Sequence, residues 1–117
     1  MTAKETLLAA RSAKRRIESR KAELKYMEGL QEITAGSEKL AELIETVSEE
    51  IASAADTVTK AIYLISTVKN PSAIGVLYEY YINASKNWNT AAEACGYSRS
   101  HAIRLRDEAL EVLDQCG

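Results

Sequence analysis

Apolar residues recur along this chain at helical spacing and almost never in the alternation of a half-buried strand. The clearest run is Leu40, Ile44, Val47, Ile51, Ala54, Val58, Ala61, Ile65 and Val68, which steps by four and three without a break. That is the a/d pattern of a helix with a seam for a partner helix. At ~1.5 Å per residue, a helix over about residues 38–69 is roughly 48 Å long. A thinner stripe precedes it: Ala10, Ala13, Ile17, Arg20, Leu24 and Met27, extended by Leu30 and Ile33. It predicts a first helix from about Ala3 to Thr34, its apolar face broken by Arg20. Thr34-Ala35-Gly36-Ser37 reads as a stop and a restart, with Gly36 suited to the left-handed position after a helix and Ser37 to the next N-cap. So short a link favours an antiparallel hairpin; a long parallel dimer seam is the alternative.

Asn70-Pro71 ends this region, because proline cannot continue one helix and suits the first turn of the next, with Asn70 as its cap. A helix over about Pro71–Asn83 would turn Ile74, Leu77, Tyr78, Tyr81 and Ile82 inward. A polar link leads to Trp88 and a brief helix that stops at Cys95-Gly96. Ser98 is a strong N-cap for a last helix, Arg99 to about Asp114, whose Ala102, Leu105, Ala109, Val112 and Leu113 should pack against Leu77, Trp88, Ala91 and Ala92. Short helix, glycine turn and longer helix make a helix-turn-helix pattern. The expected division is therefore residues 1–69, a helical oligomerisation region, and residues 70–117, a DNA-binding domain. The expected oligomerisation seam is Leu40, Ile44, Val47, Ile51, Val58 and Ile65.

Composition supports the all-α reading. The 117 residues contain one proline and five glycines, too few breakers for hairpins or βαβ units. No apolar run approaches the ~18 residues of a membrane span, and the first residues lack the apolar core of a secretory signal. Cys95 and Cys116 make no disulfide framework, so a cytoplasmic chain with reduced thiols is the simplest expectation.

Charge divides the chain more sharply than its net −2 suggests: residues 1–27 carry +5, residues 28–58 carry −7, and the remainder is neutral. The basic first helix is expected to pair with the acidic second one, within or between chains; the sharper alternative is a second arm that tracks phosphates. Along the last helix, Arg99, Arg104 and Arg106 all precede Asp107, Glu108, Glu111 and Asp114. That order opposes the helix dipole, and it suits a recognition helix whose N-terminal end meets duplex DNA while its far end leaves the groove.

The stretches Leu77–Ile82, Asn87–Ala92 and Gly96–His101, followed by Arg104-Leu105 and Ala109-Leu110, resemble the C-terminal part of the ArpU/RinA type of phage and prophage transcriptional regulators. In that family this part is similar to region 4 of bacterial sigma factors. The resemblance covers residues 71–113 well and residues 1–69 loosely, and the small Ala91 and Ala102 depart from the family's bulkier pattern. It implies a sequence-specific DNA-binding regulator that could touch host RNA polymerase; the helical seam and the few cations of the C-terminal part add the expectation of a homodimer. Ser98 would cap the recognition helix, and Arg99, Ser100, Ile103 and Arg104 would face the major groove with Arg106 at its edge. Residues 70–117 carry a net −2, so phosphate contacts would be few and the salt dependence shallow.

Other chemistries find little here. Cys95, His101 and Cys116 lack finger-like spacing and a fourth ligand, so no metal is expected. A single histidine and the absence of a phosphate-binding glycine loop speak against an enzyme, a cofactor or a small-molecule substrate. The rival readings are a protein-interaction module that binds RNA polymerase or another regulator, and a DNA-recognition subunit of a phage packaging machine.

Overall fold

The computed structural model describes residues 2–34 and 36–116. They form five α-helices and no strand: α1 Ala3–Ile33, α2 Glu38–Ser66, α3 Pro71–Leu77, α4 Trp88–Cys95 and α5 Arg99–Cys116, with a π-helical segment, Tyr78–Ile82, continuing α3. No helix is long and apolar enough to cross a membrane. The molecule is elongated, 54 × 30 × 17 Å with a radius of gyration of 17.8 Å, where a compact chain of this length would have about 13 Å.

Each helix starts where a side chain can accept an orphan amide. Thr2 accepts from Glu5 N, Ser37 from Leu40 N, Asn70 from Ser72 N and Asn87 from Thr90 N. Gly36 has φ +95° in the link between α1 and α2, and neighbouring Ala35 lies outside the described residues. α1 and α2 run antiparallel along their shared length: Ala13 and Ile17 pack with Ala54, Ile51 and Val58, while Tyr26 and Met27 lie beside Leu43 and Val47. The α2 seam is therefore used within the chain. Val47 and Ile65 are buried, and Leu40, Ile44, Ile51 and Val58 are half-buried.

The charge segregation has a structural counterpart in Arg20. Expected as an interruption of the α1 face, it reaches Glu23 at 2.7 Å on its own helix and Glu50 at 2.9 Å on α2. The carboxylates hold its guanidinium protonated, the hydrogen bond to Glu23 acting most strongly. This pair is solvent-exposed, so it fixes register more than it adds stability.

The main core joins the start of α1 to everything after α2. Leu7 and Ala10 meet Ala61 and Ile65 of α2, Val76 and Leu77 of α3, Tyr81 and Ile82 of the π segment, and Leu105, Leu110 and Leu113 of α5. Two details differ from the helical-wheel expectation. Val112 is 55% exposed, and Leu110 is buried in its place. The reason is that α1 covers that side of α5. Asp114, four residues after Leu110 and hence on its face, accepts a 2.9 Å hydrogen bond from the Ala3 amide.

The third helix also departs from a regular α-helix over Pro71–Asn83. Beyond Leu77 the backbone widens by one residue, with Asn83 N donating to Tyr78 O at 2.9 Å. The extra residue rotates the rest of the segment, so that Tyr81 and Ile82 are buried, Tyr80 is half-buried and Tyr78 is 39% exposed. Ala84 leaves this segment in the left-handed region, φ +55°, and the Ser85 hydroxyl donates back to Glu79 O at 2.9 Å.

Burial of Tyr81 has a consequence for alkaline stability. Desolvation is the largest influence on its phenol and pushes the pKa up from an ordinary 10.0 to about 12. The folded state then holds this proton after the unfolded chain has released it. The contribution is complete below pH 10 and is lost as pH rises toward 12. Denaturant titrations across that interval should show wild type losing about 2–3 kcal/mol more than Tyr81→Phe; parallel losses would place the phenol in water.

Candidate nucleic-acid interface

The surface formed by α4, its following turn and α5 begins with a helix stop. Gly96 adopts φ +79° and its amide donates into the last turn of α4, while Tyr97 N donates to Ala92 O at 2.8 Å. Those bonds satisfy the terminal carbonyls of α4 and turn the chain within three residues, since α5 begins at Arg99. The Ser98 hydroxyl accepts from His101 N at 3.2 Å, the expected N-cap contact.

The residues read as a DNA-facing set divide into two groups. Ser98, Arg99, Ser100 and Arg104 are exposed on the N-terminal half of α5. Ile103 is half-buried. Arg106 keeps only 23% of its side chain exposed: it binds Asp107 at 2.7 Å and lies over the Trp88 ring, 5.0 Å from its centroid. Its charge is thus committed within the protein.

Arg104 has a positioning partner that spacing alone does not predict. Its Nη2 donates to His101 Nδ1 at 2.7 Å. Because arginine can only donate, the ring nitrogen is the acceptor in this contact. The His101 ring meets Tyr97 edge-on at 4.9 Å, and the Tyr97 hydroxyl donates to Ser72 Oγ at 2.9 Å. A chain of two hydrogen bonds joined by one ring contact therefore runs from the exposed guanidinium to the start of α3.

Beneath α5 lies an arrangement that the sequence pattern does not reveal. Tyr80 and Trp88 stack at 3.8 Å with their planes 14° apart. Arg11 of α1 lies 4.0 Å over Tyr80, so the order Arg11–Tyr80–Trp88–Arg106 forms a cation–aromatic–aromatic–cation column. Tyr81 abuts both rings edge-on, at 4.9 and 5.9 Å. Arg11 is only 8% exposed; Nη1 donates to Tyr80 O at 2.6 Å and Nη2 to Lys86 O at 3.3 Å. Arg11 thus neither pairs with the acidic second helix nor reaches solvent. It follows Leu7 by four residues and so shares the buried face.

The acidic end of α5 likewise has a use inside the fold. Asp114 caps the start of α1, where the helix dipole favours an anion. Cys95 is half-buried beside Gly75; burial, aided by Glu79, raises its thiol pKa and keeps it protonated. Among the described residues no three His, Cys, Asp or Glu side chains gather to hold a metal; the Cys116 side chain lies outside the described ones.

With this geometry in hand, no family model matches the chain, and neither a curated protein nor a solved structure is significantly similar to it.

Removing the Arg11 guanidinium would strip two carbonyls of their donor and one ring of its cation. Arg11→Ala should cost about 2–4 kcal/mol in urea unfolding, and Arg11→Lys should recover less than half, because one ammonium cannot span the two acceptors and the ring together. A loss below ~0.5 kcal/mol for Arg11→Ala would mean that water replaces it at no cost.

Proposed function

We propose that this chain is a sequence-specific DNA-binding regulator of transcription, of the phage and prophage kind that its C-terminal part resembles. In this reading α1 and α2 form a helical hairpin, residues 1–69, and α4 and α5 are the two helices of a helix-turn-helix within residues 70–117. The recognition helix is α5. The observation that carries the reading is the exposed set Arg99, Ser100 and Arg104 on the first two turns of α5, with exposed Ser98 as its cap. This set follows a three-residue turn and lies upstream of every acid on that helix. A major groove requires cations and hydrogen-bond donors at that end, and excludes anions from it.

Arg99 and Arg104 alone provide few contacts, so the reading includes a homodimer that doubles them. Among the described residues, no third helix lies over the half of the α1–α2 pair remote from α5. Tyr26 is 70%, Leu43 55% and Ile33 80% exposed, and Ala22, Tyr26, Met27, Leu43 and Val47 line an apolar groove there. The chain exposes 7481 Å², and a compact 12.9 kDa monomer about 6300 Å². The surplus exceeds the ~800 Å² that one partner contributes to a standard interface. Helices of opposite net charge border the groove, so a two-fold axis parallel to them sets each α1 against the partner's α2 and puts both copies of α5 at the same end.

A second reading, a module that binds RNA polymerase or another regulator, draws on the commitment of Arg106 to Trp88 and Asp107 and on the net −2 of residues 70–117. One titration separates the two. Fluorescence-labelled promoter fragments are titrated with the full chain at about 50 and about 200 mM salt, where non-specific binding weakens steeply. The regulator reading expects saturable binding of two chains to one fragment that survives the higher salt. It also expects Arg104→Ala to weaken that binding by about 1–3 kcal/mol with the fold intact. Equal binding to every fragment, erased by salt, or no binding at all, overturns it in favour of a protein partner.

A further inference from the structure

The column does more than fill the core, because it fixes where the first helix lies relative to the recognition helix. Arg11 holds the Lys86 carbonyl through Nη2, so the link that starts α4 is attached to α1. Arg15 follows Arg11 by four residues and projects from the same side of α1, one turn farther from the core. Arg15 and Lys86 are both exposed, and neither joins an ion pair among the described residues. From the other end of the column, Arg99 precedes Arg106 by seven residues and lies on its face of α5, ~10 Å along the helix. Contacts of 5.0, 3.8 and 4.0 Å along the column thus tie the side of α5 that carries Arg99 and Arg106 to Arg11, which holds the Lys86 carbonyl and lies one turn from Arg15.

Two of the carboxylates near these cations are ion-paired, and a third, Glu79, is held by neutral donors and keeps its charge. Glu18 binds Lys14 at 2.9 Å, and that contact holds its pKa down. Glu79 accepts from Asn83 at 3.0 Å and from the Ser85 hydroxyl at 3.4 Å, and Asp107 binds Arg106. The dipole of α4, which begins two residues after Lys86, adds positive potential at the same place.

We propose that Arg15 and Lys86 contact the sugar–phosphate backbone of duplex DNA beside the groove that α5 enters, so that the first helix is part of the DNA interface. The proposal deepens the regulator reading and rests on it. It provides the phosphate contacts that residues 70–117 lack, from a helix outside that segment. Such contacts set register and orientation and carry no base preference.

The test measures the affinity of the full chain for a short labelled duplex of random sequence across a salt series. Arg15→Ala and Lys86→Ala should each reduce the slope of log K against log salt by about 1 per bound chain, hence about 2 for the dimer. Arg15→Lys should retain it, and Lys39→Ala, at the start of α2 and away from these cations, should leave it unchanged. The ratio of affinities for a selected over a random duplex should not move. A wild-type slope in both alanine variants, with DNA binding intact, overturns this proposal and leaves the regulator reading standing. Failure of the wild-type chain to bind any duplex overturns both.

Discussion

A buried guanidinium is tolerable only where its N–H groups find acceptors and its flat faces find something polarisable. Arg11 meets both demands. Two main-chain carbonyls take its hydrogen bonds, and the face of Tyr80 takes its charge. Tyr80 is in position because the π turn rotates it toward Trp88, and Trp88 is in position because Asn87 starts α4 there. Arg106 then covers Trp88 from α5. One stack thus links four separate segments of the chain, and the apolar core around Leu7, Leu77 and Tyr81 closes beside it.

That constraint shapes what the surface of α5 can offer. Arg106 commits its charge inside the protein, which leaves Arg99 and Arg104 as the exposed cations of the helix. Arg104 is steadied in turn through His101, Tyr97 and Ser72, a chain anchored on α3. Shared packing thus fixes the orientation of α5, and rigid presentation limits the ordering cost of any binding event. The basic first helix, which on net charge alone belongs with the acidic second one, is also held against α5.

Much of the architecture was legible in the sequence because it depends on local chemistry. The unbroken run from Leu40 to Val68 marks α2, and Gly36, Asn70-Pro71, Gly96 and Ser98 mark helix ends by mechanisms confined to a few residues. What escaped depends on contacts distant in sequence. Nothing near Arg11 reveals that carbonyls of Tyr80 and Lys86 await it, and nothing near Asp114 reveals that it caps a helix that begins at Ala3. The π turn escaped for a related reason: its extra residue is set by where Tyr81 and Trp88 must pack. Within the candidate site, the exposure of Arg99, Ser100 and Arg104 was readable from the helical wheel, whereas the inward turn of Arg106 required knowing where Trp88 lies.

If the column welds α1 to α5, the two must open together. Native-state hydrogen exchange resolves this residue by residue. The account predicts that the amides of α1 near Leu7–Arg11 exchange in the same opening event, and with the same free energy, as those of α5 near Leu105–Leu110. An α1 that exchanges through a separate, easier opening while α5 stays protected would contradict it.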